Sequence, residues 1–89
     1  MTDTKYIISS NSLFRELDGE AVILNTKSGH YYSLNEVGTR IWALLSEGLS
    51  RDEIVSTITD EYEVGLEQAA ADVNELIKEL ITCGLVEES

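Results

Sequence analysis

The sequence predicts an α+β domain, winged helix-turn-helix-like, in which a three-stranded antiparallel sheet is followed by three helices. Three observations predict it. Short apolar runs flank Asp18-Gly19 and Lys27-Ser28-Gly29, residues suited to the tight turns that join neighbouring antiparallel strands. From Asn35 onward the apolar period lengthens from two residues to between three and four, the helical repeat. The chain has 89 residues, enough for one packed core and little else.

Leu13 to Leu17 and Ala21 to Thr26 read as the first two strands. Asp18-Gly19 between them supplies the positive φ that a two-residue hairpin turn requires. The third strand is His30 to Leu34. Side chains alternate across a strand, so Val22 and Leu24 share one face, as do Tyr32 and Leu34. We expect those four to face the helices, leaving Phe14, Ile23 and Tyr31 as an apolar patch on the outer face.

Asn35 is suited to cap the first helix, because its side-chain oxygen can accept from the first free amides. That helix places Val37, Ile41, Leu44 and Leu45 on one side, and Gly48 ends it. Gly38 inside it costs helix stability unless something packs closely there, with Trp42 the candidate. Ser50-Arg51-Asp52-Glu53 is a capping box opening the second helix, whose apolar side is Ile54, Val55, Ile58 and Tyr62. The third helix runs from about Leu66 to Thr82, buries Ala69, Val73, Leu76, Ile77 and Leu80, and stops at Gly84. Leu85 and Val86 are expected to fold back over the core. Residues 1–11 read as a flexible N-terminal arm hinged at Ser9-Ser10-Asn11, and residues 12–89 as the domain. Within the arm, Tyr6-Ile7-Ile8 can dock on the outer patch or pair with a sheet edge.

Charge narrows the function. Six Lys and Arg against seventeen Asp and Glu give a net charge of −11, which repels the phosphates that supply most nucleic-acid affinity. Basic partners are favoured instead. No apolar run approaches the roughly 18 residues of a membrane span, and Met1-Thr2-Asp3-Thr4-Lys5 lacks a signal pattern. A cytoplasmic protein without membrane contact is expected. Cys83 is the single cysteine, which excludes an intrachain disulfide and a thiolate cluster; beside Leu76 and Leu80 in helical phase it reads as a small buried hydrophobe.

Catalytic groups do not assemble. His30 is the single histidine and has no nucleophile or orienting partner nearby in sequence. Asp60, Glu61, Glu63 and Glu67 form a charged rim without calcium-loop spacing. The six glycines are scattered, so no phosphate loop exists. Neither a catalytic residue, a metal ligand nor a cofactor is predicted. What remains is a strand edge. His30-Tyr31-Tyr32-Ser33-Leu34 carries no proline and no formal charge, two devices that commonly blunt an edge. Two readings stay open on the residues alone. The edge is covered by the chain's own arm or a second copy, in an acidic structural or dimerisation module, or it accepts an extended peptide.

The run YYSLNEVGTRIW resembles the PqqD family, and within it the stand-alone peptide-binding members of lasso-peptide biosynthesis. The similarity continues through EIVSTITDEYEV into DVNELIKELITCGLV and covers residues 12–87. It is carried jointly by Tyr31-Tyr32, Leu34-Asn35, Gly38, Ile41-Trp42 and Asp72-Val73. The resemblance implies a non-catalytic recognition element for ribosomally synthesised, post-translationally modified peptides. Such an element binds the leader segment of a precursor as an added strand beside the third helix. On that resemblance His30, Tyr31, Tyr32, Ser33 and Leu34 supply the strand edge. Asp72, Val73, Leu76 and Glu79 supply the helical wall, an oily floor with an acidic lip. The implied partners are the precursor leader peptide and a separate processing enzyme: a leader peptidase in a lasso-type pathway, or a radical enzyme in pyrroloquinoline quinone synthesis. A monomer or weak homodimer is expected.

Overall fold

A computed structural model describes residues 5–18 and 20–88 of the chain. Gly19, the second residue of the anticipated hairpin turn, lies outside the described residues, as do residues 1–4 of the signal-sequence reading. The elements run β1 (Tyr6–Ile8), β2 (Ser12–Leu17), β3 (Glu20–Asn25), β4 (Tyr31–Leu34), α1 (Glu36–Ser46), α2 (Arg51–Glu61), α3 (Leu66–Thr82) and β5 (Val86–Glu88). Strands β2, β3 and β4 form the three-stranded antiparallel meander ahead of three helices, the predicted winged helix-turn-helix-like architecture. A second, two-stranded sheet pairs β1 with β5.

Local chemistry sets each boundary. Leu17 pairs with Glu20, so the β2–β3 turn is two residues long, and Asp18 adopts the left-handed φ of 55° that such a turn needs. Asn35 caps α1 by accepting the Gly38 amide at 2.8 Å. Ser50 and Glu53 form the full capping box at α2, with the Ser50 amide donating to Glu53 Oε1 at 2.8 Å. Buried Asn25 ties the turn after β3 to the end of α3. Its Nδ2 donates to the Cys83 carbonyl at 2.9 Å, while its Oδ1 accepts from the amides of Lys27 and Ser28. Gly84 follows with φ 74°, and a Cβ there would meet Asn25 Nδ2 at 3.1 Å. Both the left-handed backbone and the crowding favour glycine.

The sheet's phase differs from the expectation. Ala21, Ile23 and Asn25 face inward from β3, and Ile23 is wholly buried, whereas Val22 is 39% exposed and Leu24 half-buried. Register explains the reversal. The two-residue turn places Arg15 opposite Val22 and Phe14 opposite Ile23. A guanidinium on the core face would be an unpaired buried charge, so Arg15 and its neighbour Val22 turn outward. Phe14 instead stacks on Trp42, with ring centroids 6.1 Å apart. Tyr32 and Leu34 do face the helices, because Tyr32 pairs with Ile23 and Leu34 with Ala21. The outer apolar patch is therefore Leu13, Val22, Leu24 and Tyr31, not Phe14, Ile23 and Tyr31.

Between sheet and helices lies one core, built from Ile41, Leu44 and Leu45 of α1, Ile54 and Ile58 of α2, and Ala69, Val73, Ile77 and Leu80 of α3. Leu85 and Val86 close it, each 1% exposed. The close approach at Gly38 comes from β4 and not from Trp42, since a Cβ would lie 3.2 Å from Leu34 Cδ2 and Leu34 would have to give way. Cys83 packs part-buried against the core at the end of α3. No described helix is long and apolar enough to cross a membrane.

Candidate functional site

Strand β4 is an edge. Among the described residues it pairs with β3 alone, and β1, which could have covered it, pairs with β5. Which backbone groups the edge offers follows from register. The Asn25 amide donates to the His30 carbonyl at 2.8 Å, marking Asn25–His30 as a hydrogen-bonded pair. Such pairs recur at every second residue of an antiparallel ladder, so Tyr32 and Leu34 direct their amides and carbonyls into β3. Tyr31 and Ser33 direct theirs away from the sheet.

Alongside that edge runs a cleft of about 320 Å³ bounded by β4, the first turns of α1 and one face of α3. Its floor is apolar, made of Leu34, Val37, Ile41 and Leu76, and the close fit of Gly38 against Leu34 brings α1 up to it. Its α3 wall is acidic. Asp72, Glu75 and Glu79 all line it, spaced three and four residues apart and hence on one helical face. The Tyr32 hydroxyl donates to the Glu79 carboxylate across the space between β4 and α3. Burial, then that hydrogen bond and the negative charge beside it, push the Tyr32 ionisation up to about 12. Tyr32 is therefore a protonated donor at neutral pH. On the opposite rim of the wall, Asp72 accepts from Gln68 Nε2 at 2.9 Å.

Of the sequence-predicted site residues, Tyr32, Ser33, Leu34, Asp72, Leu76 and Glu79 meet at this cleft. Three do not line it. His30 precedes the strand and is exposed in the turn, its amide donating to Ser28 Oγ at 3.3 Å. Tyr31 brings its backbone to the edge, but its side chain lies on the outer face, 70% exposed. Val73 is 0% exposed within the core, because adjacent helical residues point about 100° apart and Asp72 takes the wall position. Reading the sequence missed Glu75, which its spacing from both Asp72 and Glu79 would have revealed. It also missed Val37, Gly38 and Ile41. Their signal is the single residue, Asn35, between β4 and α1, which forces the helix to start against the strand's end.

Chemically, the cleft presents backbone donors and acceptors, an apolar floor and carboxylates. Among the described residues no group of three or more His, Cys, Asp or Glu is placed to hold a metal ion. An extended chain laid beside β4 would find hydrogen-bonding groups on one side and a helix on the other.

Comparison with known proteins agrees in one direction. The family model PqqD, described as coenzyme PQQ synthesis protein D, matches residues 20–86. Two solved structures share the fold. One is TbiB1 in complex with the TbiA(beta) leader peptide, 36% identical, with a TM-score of 0.84 over 90% of this chain and 93% of that one. The other is a lasso peptide synthetase B1 complexed with the leader peptide, 26% identical, with a TM-score of 0.84 over 93% and 98%. No curated protein matches the sequence.

Proposed function

The chain belongs to the PqqD family, and on that premise we propose that it binds the leader segment of a ribosomally synthesised precursor peptide and presents it to a separate processing enzyme. The leader adds as a strand to β4 and lies in the cleft against α3. One observation carries this reading: the edge of β4 is unpaired among the described residues and borders a cleft of the right composition. Support comes from the two solved relatives, each holding a leader peptide. The lasso peptide context of the second favours a leader peptidase as the recipient, within the cytoplasm. The description of the family model favours a second reading, delivery to a radical enzyme in quinone cofactor synthesis. The protein itself acts by binding and carries out no chemistry on the peptide.

Magnitudes show why both edge and cleft are needed. Tyr31 and Ser33 each offer one donor and one acceptor, and four such bonds contribute about 1 kcal/mol each net. Micromolar affinity requires about 8 kcal/mol, after the entropy of association has been overcome. Burying two apolar side chains over Leu34, Val37, Ile41 and Leu76, at roughly 1.5–3 kcal/mol each, closes much of the gap. The backbone sets the pose and the floor supplies affinity.

Titration with the leader of a precursor encoded beside the gene tests the proposal. Amide shifts should concentrate on residues 31–34 and on the 72–79 face of α3, and the purified protein should leave the peptide uncut. Shifts confined to β1 and β5 would overturn it.

A further inference from the structure

Resting on the strand-addition reading above, we propose that the cleft selects a segment in which an apolar residue is followed, two positions later, by lysine or arginine. The two ends of the requirement come from two sides of the cleft. Where β4 meets α1 the floor is Leu34, Val37 and Ile41. The α3 wall carries Asp72, Glu75 and Glu79, and no Lys, Arg or His lines the cleft to balance them. Carboxylates alone would be an ordinary solvated helix face. These lie across a cleft from unpaired strand amides and carbonyls, so whatever pairs with the strand is held beside them.

The wall is incomplete without a cation from outside. Like charges three and four residues apart on a helix destabilise it. Glu79 already accepts from Tyr32 and Asp72 from Gln68, whereas Glu75, between them, has no hydrogen-bond or ion-pair partner among the described residues. Arg40 and Arg51 are engaged elsewhere, on Glu61 and on Asn74 and Asp52. The neighbour of Glu75 in the cleft is Leu76. A lysine or arginine can lay its methylenes on such a surface while its charged head reaches the carboxylate.

Strand geometry sets the spacing. Alternate residues of an added strand face the same side, about 7 Å apart. All three strand pairs among the described residues are antiparallel, and in antiparallel addition the residue opposite Leu34 precedes the one opposite Tyr32. The first inward residue therefore sits over the apolar floor, and the next inward residue sits beside Glu75 and Glu79. The residue between them faces outward beside Tyr31 and Ser33 and is not read by the cleft.

Two synthetic peptides of equal length, composition and net charge test this, one with lysine two positions after a leucine anchor and one with it three positions after. Each is titrated into the intact protein while the amides of Tyr31–Leu34 are followed. At about 10 mM salt the first should bind roughly five- to tenfold tighter, the scale of a few exposed ion pairs, and about 1 M salt should close the gap. Glu75→Lys, a change at an exposed position, should abolish the preference. Equal affinities with shifts at residues 31–34 overturn the selectivity and leave strand addition standing. So does a preference that survives Glu75→Lys. Absence of shifts at residues 31–34 with either peptide sinks both.

Discussion

Replacing Ser33 with proline separates the edge of β4 from its interior. The Ser33 amide points away from β3, since hydrogen-bonded pairs fall at Tyr32 and Leu34. Proline there removes no bond within the sheet, and proline is tolerated in edge strands when its nitrogen faces solvent. Tyr32, the residue before it, is already extended, the conformation that a following proline imposes. The fold should survive. Binding should not survive intact, because one donor is lost at about 1 kcal/mol and the ring holds the incoming chain off the adjacent acceptor for about as much again. A total of about 2 kcal/mol is roughly a thirtyfold weaker Kd. Calorimetric titration with the leader peptide measures it, and a thermal melt confirms folding. Tyr32→Pro is the contrasting variant: it removes a bond to β3 and should lower the melting temperature sharply. Unchanged affinity in a folded Ser33→Pro protein would refute backbone pairing at this edge.

The remaining predictions concern the fold and its electrostatics. Ile23→Ala should cost about 2–5 kcal/mol, as deletion from a packed core does, while Val22→Ala should cost no more than about 0.5 kcal/mol; denaturant titration of the pair checks the phase of β3. Ser50→Ala breaks the capping box of α2 and should cost about 1 kcal/mol, read as a drop in melting temperature. Tyr32 is raised from an ordinary 10.0 to about 12, so the protonated form is favoured by the fold. The sign follows: its contribution is complete below pH 10 and is lost as pH rises through 12, so Tyr32→Phe should flatten the stability profile across that window. Absorbance titration of tyrosinate should show one late-ionising group fewer in the variant.

The helices were legible because their signals are local. Asn35 and Ser50 announce their caps within four residues, and the apolar stripe of α3 repeats across the whole helix. The edge strand was legible for the same reason, in a run without charge or proline. The face of β3 was not, because AVILN is apolar on both sides and alternation alone cannot choose between them. The choice lay in Arg15, which becomes informative once the two-residue turn is counted back to Val22. The pairing of β1 with β5 was less accessible still. Three-residue strands carry no readable period, and their partners lie at opposite ends of the sequence. At the site, helical spacing placed Asp72, Leu76 and Glu79 together, and the same rule excludes Val73 and admits Glu75.

The pairing of Tyr6 with Glu88 has a consequence for engineering. Antiparallel partners lie about 5 Å apart, within the reach of a disulfide, so cysteines at these two positions would staple β1 to β5 away from the surface between β4 and α3. Such a staple closes a long loop, shrinks the entropy of the denatured ensemble and raises the thermal limit of the fold while leaving the ligand's berth untouched.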